Sequence, residues 1–276
     1  MKTLFFALIL MVASNLISAQ VLNIEKRRYA DDSTTLLHVD ASFASRIYNR
    51  TASQENPINF LGLDGGFNIA HFGKTNAISW LNQFNYLRIN ESAFNSTGYS
   101  HLRLNFLRTR KFSYELFGQA QYDRLRLLDY RFLGGGGFRY EAINSKSLLV
   151  FLGVGGMYEV ERWNDPTTEP EEKVTVDFLK STNYISLRWH LKEYLNLNSV
   201  LYYQTTYDQN LSGFRHRLNI EINLNVSINK TLSFRTTFLA AYENAPIVPI
   251  TKFIYSISNG IQFNLNQKKS LPSKEK

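Results

Sequence analysis

From Phe214 to Ile228 the chain alternates between two kinds of side chain. Even positions carry Phe214, His216, Leu218, Ile220, Ile222, Leu224, Val226 and Ile228, and odd positions Arg215, Arg217, Asn219, Glu221, Asn223, Asn225 and Ser227. Successive residues of a strand point to opposite faces, so a strand keeps these two sets apart over the whole run, whereas a helix would mix them. One face is apolar and the other polar and charged.

The same period of two returns along the chain. In Tyr99–Thr109, Leu102, Leu104 and Phe106 oppose His101, Arg103 and Asn105. In Phe112–Asp123, Phe112, Tyr114, Leu116, Ala120 and Tyr122 oppose Ser113, Glu115, Gln119, Gln121 and Asp123. In Tyr130–Ala142, Tyr130, Phe132, Phe138 and Tyr140 oppose Arg131, Arg139 and Glu141, and a last run carries Phe253, Tyr255, Ile257, Ile261, Phe263 and Leu265. Weaker alternation falls near 35–48, 58–71, 77–90, 147–161, 174–191, 194–206 and 231–243, which gives twelve candidate strands. Strands of soluble sheets run about five or six residues. These are longer, and a membrane-crossing strand needs roughly 9–11 residues, apolar outside and polar inside.

The intervening segments predict a topology. Short turns are expected near 73–75, 109–111, 144–146, 192–193 and 229–230, and longer connections near 49–57, 91–98, 124–129, 162–173, 207–213 and 244–250. Alternating short and long connections suit an up-and-down barrel with short periplasmic turns and longer outer loops. Rings at both ends of the strands, such as Phe112 and Tyr114 against Tyr122, suit aromatic girdles at the two interfaces. The stretch Trp163–Glu172, with Asp165, Glu169, Glu171 and Glu172, is expected to be an acidic outer loop.

Composition narrows the chemistry. The 276 residues include no Cys, which excludes disulfides, thiolate metal sites, a Cys nucleophile and a lipid-modified N-terminal Cys. Lys and Arg number 31 against 23 Asp and Glu, a net charge of +8. No docking element accompanies that charge, so nucleic acid is not expected as a partner. Met1-Lys2-Thr3, the apolar run Leu4–Ala13 and the small residues up to Ala19 have the form of a secretory signal peptide. The expected organisation is a signal peptide over 1–19, a periplasmic segment over 20–34, an outer-membrane β-barrel over 35–265 and a polar basic tail over 266–276.

Several stretches, taken together, also resemble a known family. They are VLNIEKRR at 21–28, GYSHLRLNFL at 98–107, ELFGQAQYDRL at 115–125, RFLGGGGFRY at 131–140, GMYEVE at 156–161, LYYQTTY at 201–207 and YSISNGIQF at 255–263. The chain resembles the YdiY-like, salt-induced outer-membrane family, a domain of unknown function, and its Bacteroidota-type members most. The resemblance implies an outer-membrane β-barrel and supplies no catalytic residue, substrate or cofactor. The polar tail Asn266–Lys276 departs from barrels that end on an aromatic strand residue.

A barrel hydrolase of outer-membrane lipid would pair a His with a Ser two residues on, both on one face of a strand. The residues two positions after His38, His71, His101, His190 and His216 are Asp40, Gly73, Arg103, Lys192 and Leu218, so no such pair exists. Gly134–Gly137 lacks the Lys-Ser/Thr of a phosphate loop and lies within a strand pattern, where glycines serve curvature or make room for a facing ring. Lys74, Arg110, Lys111, Lys146, Lys192 and Lys230 in the short turns favour contact with anionic headgroups of the inner leaflet.

The inward faces carry Arg103, Glu115, Arg139, Glu141, Arg188, His190, Arg217, Glu221 and Arg235. Unpaired charges in a narrow lumen are costly to desolvate, so a paired network that constricts the lumen toward its periplasmic end is expected. The expected protein is a transmembrane barrel of about twelve strands, structural or passing a small solute. It takes no cofactor or metal; its partners are outer-membrane lipid and the barrel-assembly machinery. A lipid hydrolase is the alternative, and a soluble periplasmic binding barrel the third reading.

Overall fold

The structure, a computed structural model, describes residues 36–49, 58–169, 172–229 and 231–263. The expected signal peptide, periplasmic segment and basic tail lie outside the described residues, as do Lys230 and most of the first outer connection.

Twelve strands form: β1 Leu36–Asn49, β2 Asn59–Phe72, β3 Ala77–Ile89, β4 Ser92–Phe106, β5 Phe112–Asp123, β6 Leu128–Asn144, β7 Leu148–Asp165, β8 Glu172–Lys192, β9 Leu195–Asp208, β10 Gly213–Ser227, β11 Leu232–Glu243 and β12 Phe253–Phe263. They make one sheet in sequence order, β1 to β12, with each consecutive pair antiparallel. By the topology expected from the sequence, the short-turn ends of the strands are the periplasmic ends and the opposite ends the outer ones.

The expected alternation of connection length is only partly present. Asn90 and Glu91 alone join β3 to β4, and the segment expected as a long loop at 91–98 is strand from Ser92 onward. Likewise β7 and β8 stay paired as far as Asp165 opposite Glu172, so Trp163 and Asp165 belong to a strand and not to an acidic loop. Outer segments satisfy their backbone hydrogen bonds by extending the ladder, and β6, β7 and β8 reach 17, 18 and 21 residues. Polar composition does not fix whether a segment is loop or strand.

The two faces are inverted relative to a soluble sandwich. Phe112, Tyr114, Leu116 and Tyr122 of β5 are exposed, while Ser113 and Glu115 between them are buried. Among the described buried residues, polar and charged side chains outnumber apolar ones, and the exposed set is rich in large apolar residues. That arrangement suits a lipid exterior and a polar interior and disfavours the soluble binding barrel. Aromatics pair on the outer surface near the periplasmic ends, with Phe112–Tyr140 centroids 4.7 Å apart and Tyr114–Phe138 5.4 Å apart. Tyr122 stands eight residues above Tyr114, about 27 Å along the strand.

The sheet curls until opposite strands touch across the interior: Arg131 on β6 reaches within 4.0 Å of Glu243 on β11. Curvature is tight where β6 meets β7. A Cβ on Gly135 would stand 2.4 Å from the Gly156 oxygen, and one on Gly137 2.5 Å from the Val154 oxygen. Only glycine allows that approach of the two backbones.

Candidate functional site: a charge-filled lumen

The lumen holds two layers of charge. The outer layer draws on five strands. Arg217 (β10) places Nη1 3.0 Å from Glu159 Oε2, Nη2 2.7 Å from Glu161 Oε1 and Nε 2.5 Å from Glu243 Oε1. Arg131 (β6) places Nη2 2.5 Å from Glu161 Oε1 and Nε 3.5 Å from Glu159 Oε2. Lys180 (β8) donates to Glu159. Trp163 Nε1 donates to Glu161 Oε2 at 3.0 Å. Three cations therefore meet three carboxylates, and Glu159 and Glu161 are both 0 % exposed. Strand register supplies two of the pairs, Arg217 opposite Glu243 and Arg131 opposite Glu161. The curl of the sheet supplies the contacts of Arg217 with β7.

The inner layer lies nearer the periplasmic end and centres on Glu115 (β5). Its Oε2 accepts from Tyr184 OH at 2.9 Å and lies 3.4 Å from Arg103 Nη1; its Oε1 accepts from Asn105 Nδ2 at 2.9 Å and lies 4.0 Å from Arg139 Nε. Arg139 also stacks its guanidinium 3.4 Å from the centroid of Phe151. Tyr184 reaches Glu115 by lying across Gly153, where a Cβ would be 2.0 Å from the ring. Thus a glycine on β7 lets a phenol on β8 span the lumen to β5.

A cavity of about 130 Å³ separates the layers, and its lining includes Tyr99, His101, Gln119, Gln121, Thr182 and Gln204. A polar space of that size is well above the minimum of roughly 10–15 Å³ that admits a water molecule. Toward the outer end an apolar cluster gathers beside the outer layer. Val248, from the segment joining β11 to β12, packs on Trp163 and Leu128, and all three are at most 2 % exposed. Arg215 holds that segment by donating to the Ala245 carbonyl, while its Nε lies 2.5 Å from Asp208 Oδ2.

Of the residues singled out from sequence, Arg103, Glu115 and Arg139 come together in the inner layer, and Arg217 joins the outer one. Glu221 is buried and accepts from Asn223 Nδ2 at 2.5 Å, and Arg235 Nε donates to Asn225 Oδ1 at 2.6 Å. Glu141 accepts from Asn144 Nδ2 at 2.9 Å, and His190 contacts Asn196. Together with Arg188, opposite Asn198, these last two stand at the periplasmic ends of their strands, outside both layers. Sequence reasoning left out Glu159, Glu161, Lys180 and Glu243 and gave Arg131 no role. The signal was available in Tyr158-Glu159-Val160-Glu161, where two acids share the parity of inward Met157 and Trp163.

The interior is built of mutually neutralised ions, and no group of three or more His, Cys, Asp or Glu able to hold a metal occurs among the described residues. No curated protein matches the chain. One similar solved structure is described as a NanC porin structure in rhombohedral crystal form; it shares 9% identity, with a TM-score of 0.42, over 74% of this chain and 94% of the other. The family model described as "Protein of unknown function, DUF481" matches residues 61–248. With its described residues folded as twelve antiparallel up-and-down strands, the chain belongs to that family, which corresponds to the YdiY-like outer-membrane proteins.

Proposed function

We propose that this protein is an outer-membrane barrel with a closed resting lumen, serving as a structural element or as a restricted passage for small solutes, and not as a general pore. The observation that carries this reading is the outer ion layer. Arg131, Lys180 and Arg217 neutralise Glu159, Glu161 and Glu243 across the interior, and the two central carboxylates have no exposed surface. Barrels of 16–18 strands leave a wide aqueous channel, whereas twelve strands leave space that side chains of this length can fill.

Ion movement through such a layer has to separate buried charge pairs. Removing one partner of a buried pair costs about 3–5 kcal/mol, so spontaneous opening is rare unless a solute replaces the lost contacts. The cavity beneath the layer, with its amide, hydroxyl and imidazole groups, offers a polar solute hydrogen bonds of both senses. Among the described residues of the lumen, His101 faces Gln119, with Nδ1 3.1 Å from its Oε1, and so stands as a hydrogen-bonding group of the cavity wall.

Swelling of proteoliposomes in sugars of graded size tests the reading. Vesicles carrying the protein should shrink and stay shrunken in a disaccharide, as protein-free vesicles do. Rapid re-swelling at porin-like rates would contradict it.

A further inference from the structure

The lipid-facing surface of β2–β6 is not covered evenly by large side chains. Register aligns Phe67, Asn82, Ser100, Ala120 and Phe132 as one row across five strands. Between the two end rings this row carries only short side chains. In the next row toward the outer ends, Gly65 faces Phe84 and Gly98 faces Tyr122. A Cβ on Gly65 or Gly98 would stand 2.0 Å or 2.1 Å from those rings, so both rings lie flat along the sheet. The outcome is a trough of about 480 Å³ walled by aromatic side chains.

Two cations converge at the outer end of the trough, where its lining reaches Asp129 and Tyr130. Arg162 Nη2 lies 2.6 Å and Lys173 Nζ 3.1 Å from Asp129 Oδ2, and the Arg162 guanidinium lies 4.4 Å from the Tyr130 ring centroid. One carboxylate serves two cations, so the group is net positive, and the Arg162 and Lys173 side chains stay 36 % and 54 % exposed. The polar atoms of the floor bond to one another. Trp80 Nε1 donates to Ser100 Oγ at 3.1 Å, Ser100 Oγ donates to Asn82 Oδ1 at 2.8 Å, and Asn82 Nδ2 donates to the Phe67 carbonyl at 2.9 Å. The floor therefore offers shape, and the cations offer charge.

Within a bilayer an apolar chain gains no hydrophobic free energy by leaving lipid for protein. Selectivity comes from close packing on small residues and from the polar end of the ligand. An Arg beside a Lys at the interface matches the oxygens of a phosphate. We propose that this trough is a binding site for one anionic, phosphate-bearing lipid of the outer leaflet, whose acyl chain lies over Ser100 and Ala120 and whose phosphate sits on Arg162 and Lys173.

Native mass spectrometry of the detergent-solubilised mature protein tests the site, with dioleoyl phosphatidylglycerol and dioleoyl phosphatidylcholine titrated as probes. The expected result is a single tight adduct with the glycerol lipid, bound at least tenfold more strongly than the choline lipid. R162A/K173A, which removes both cations and leaves the trough floor unchanged, should abolish the preference between headgroups, with heat-modifiable gel migration reporting that the variant is folded. A120F should weaken the first adduct of both lipids, with heat-modifiable gel migration reporting that the variant is folded; if it does not fold, the headgroup comparison alone decides. Equal binding of the two lipids by the unmodified protein, or a preference that survives R162A/K173A, would overturn the proposal.

Discussion

Arg217 Nη2 stands 2.7 Å from Glu161 Oε1, although β8 and β9 lie between their strands in the sheet. The contact crosses the interior, so it depends on how tightly the barrel curls. It also ties that curl to the charge balance of the outer layer, because the same guanidinium serves Glu159 and Glu243.

Replacing Arg217 leaves three buried carboxylates facing two cations. Arg217→Ala should destabilise the barrel by about 3–5 kcal/mol, measured as a fall in the urea midpoint of the protein in micelles. Arg217→Lys should lose part of that, since a single ammonium cannot reproduce the fork. An unchanged midpoint for Arg217→Ala would show that the layer is solvated.

Gly153 and Tyr184 make a second linked pair. Gly153→Ala places a methyl where the Tyr184 ring lies, which forces the phenol off Glu115. A cost of about 1–3 kcal/mol is expected from overpacking alone. Tyr184→Phe removes only the hydrogen bond and should cost about 1.5–3 kcal/mol, the range for a bond to a charged group. If the ring leaves its place in Gly153→Ala, combining the two substitutions should cost less than their sum in the same unfolding assay.

The absence of native cysteine makes the apolar cluster testable by cross-linking. Leu128→Cys/Val248→Cys should form a disulfide on mild oxidation and migrate faster on non-reducing gels, because the two side chains share a buried cluster. Failure to cross-link in folded protein would place the β11–β12 segment away from Leu128.

Topology follows from the assignment of the two barrel ends. Glu169→Cys, in the β7–β8 connection, should react on whole cells with a membrane-impermeant maleimide. Lys146→Cys, in the β6–β7 turn, should react only after the outer membrane is permeabilised. The reverse pattern would invert the barrel.

The fold was legible because period-two patterning is a local property. Phe214–Ile228 shows its two faces without reference to any other strand, and twelve such runs set the strand number. Strand ends were less legible. Asn95, Ser96 and Thr97 read as loop by composition, yet they extend β4, because pairing there is decided by the partner strand. The lumen was legible residue by residue and not as an assembly. Parity showed that Arg103, Glu115, Arg139 and Arg217 point inward, but Arg217 meets Glu159 only through the curl of the sheet, which no local pattern encodes. The apolar cluster was missed because Pro246-Ile247-Val248-Pro249-Ile250 reads as an ordinary apolar loop until its packing on Trp163 and Leu128 is known.

The central claim is that the resting lumen is closed by the ion layer and the apolar cluster beside it. Single-channel recording of the purified protein in planar bilayers tests this most directly, with Arg131→Ser and Val248→Asp recorded beside it. The account predicts a closed or very small conductance for the unmodified protein and larger, more frequent openings in both variants. A large, stable conductance in the unmodified protein that neither substitution changes would contradict it.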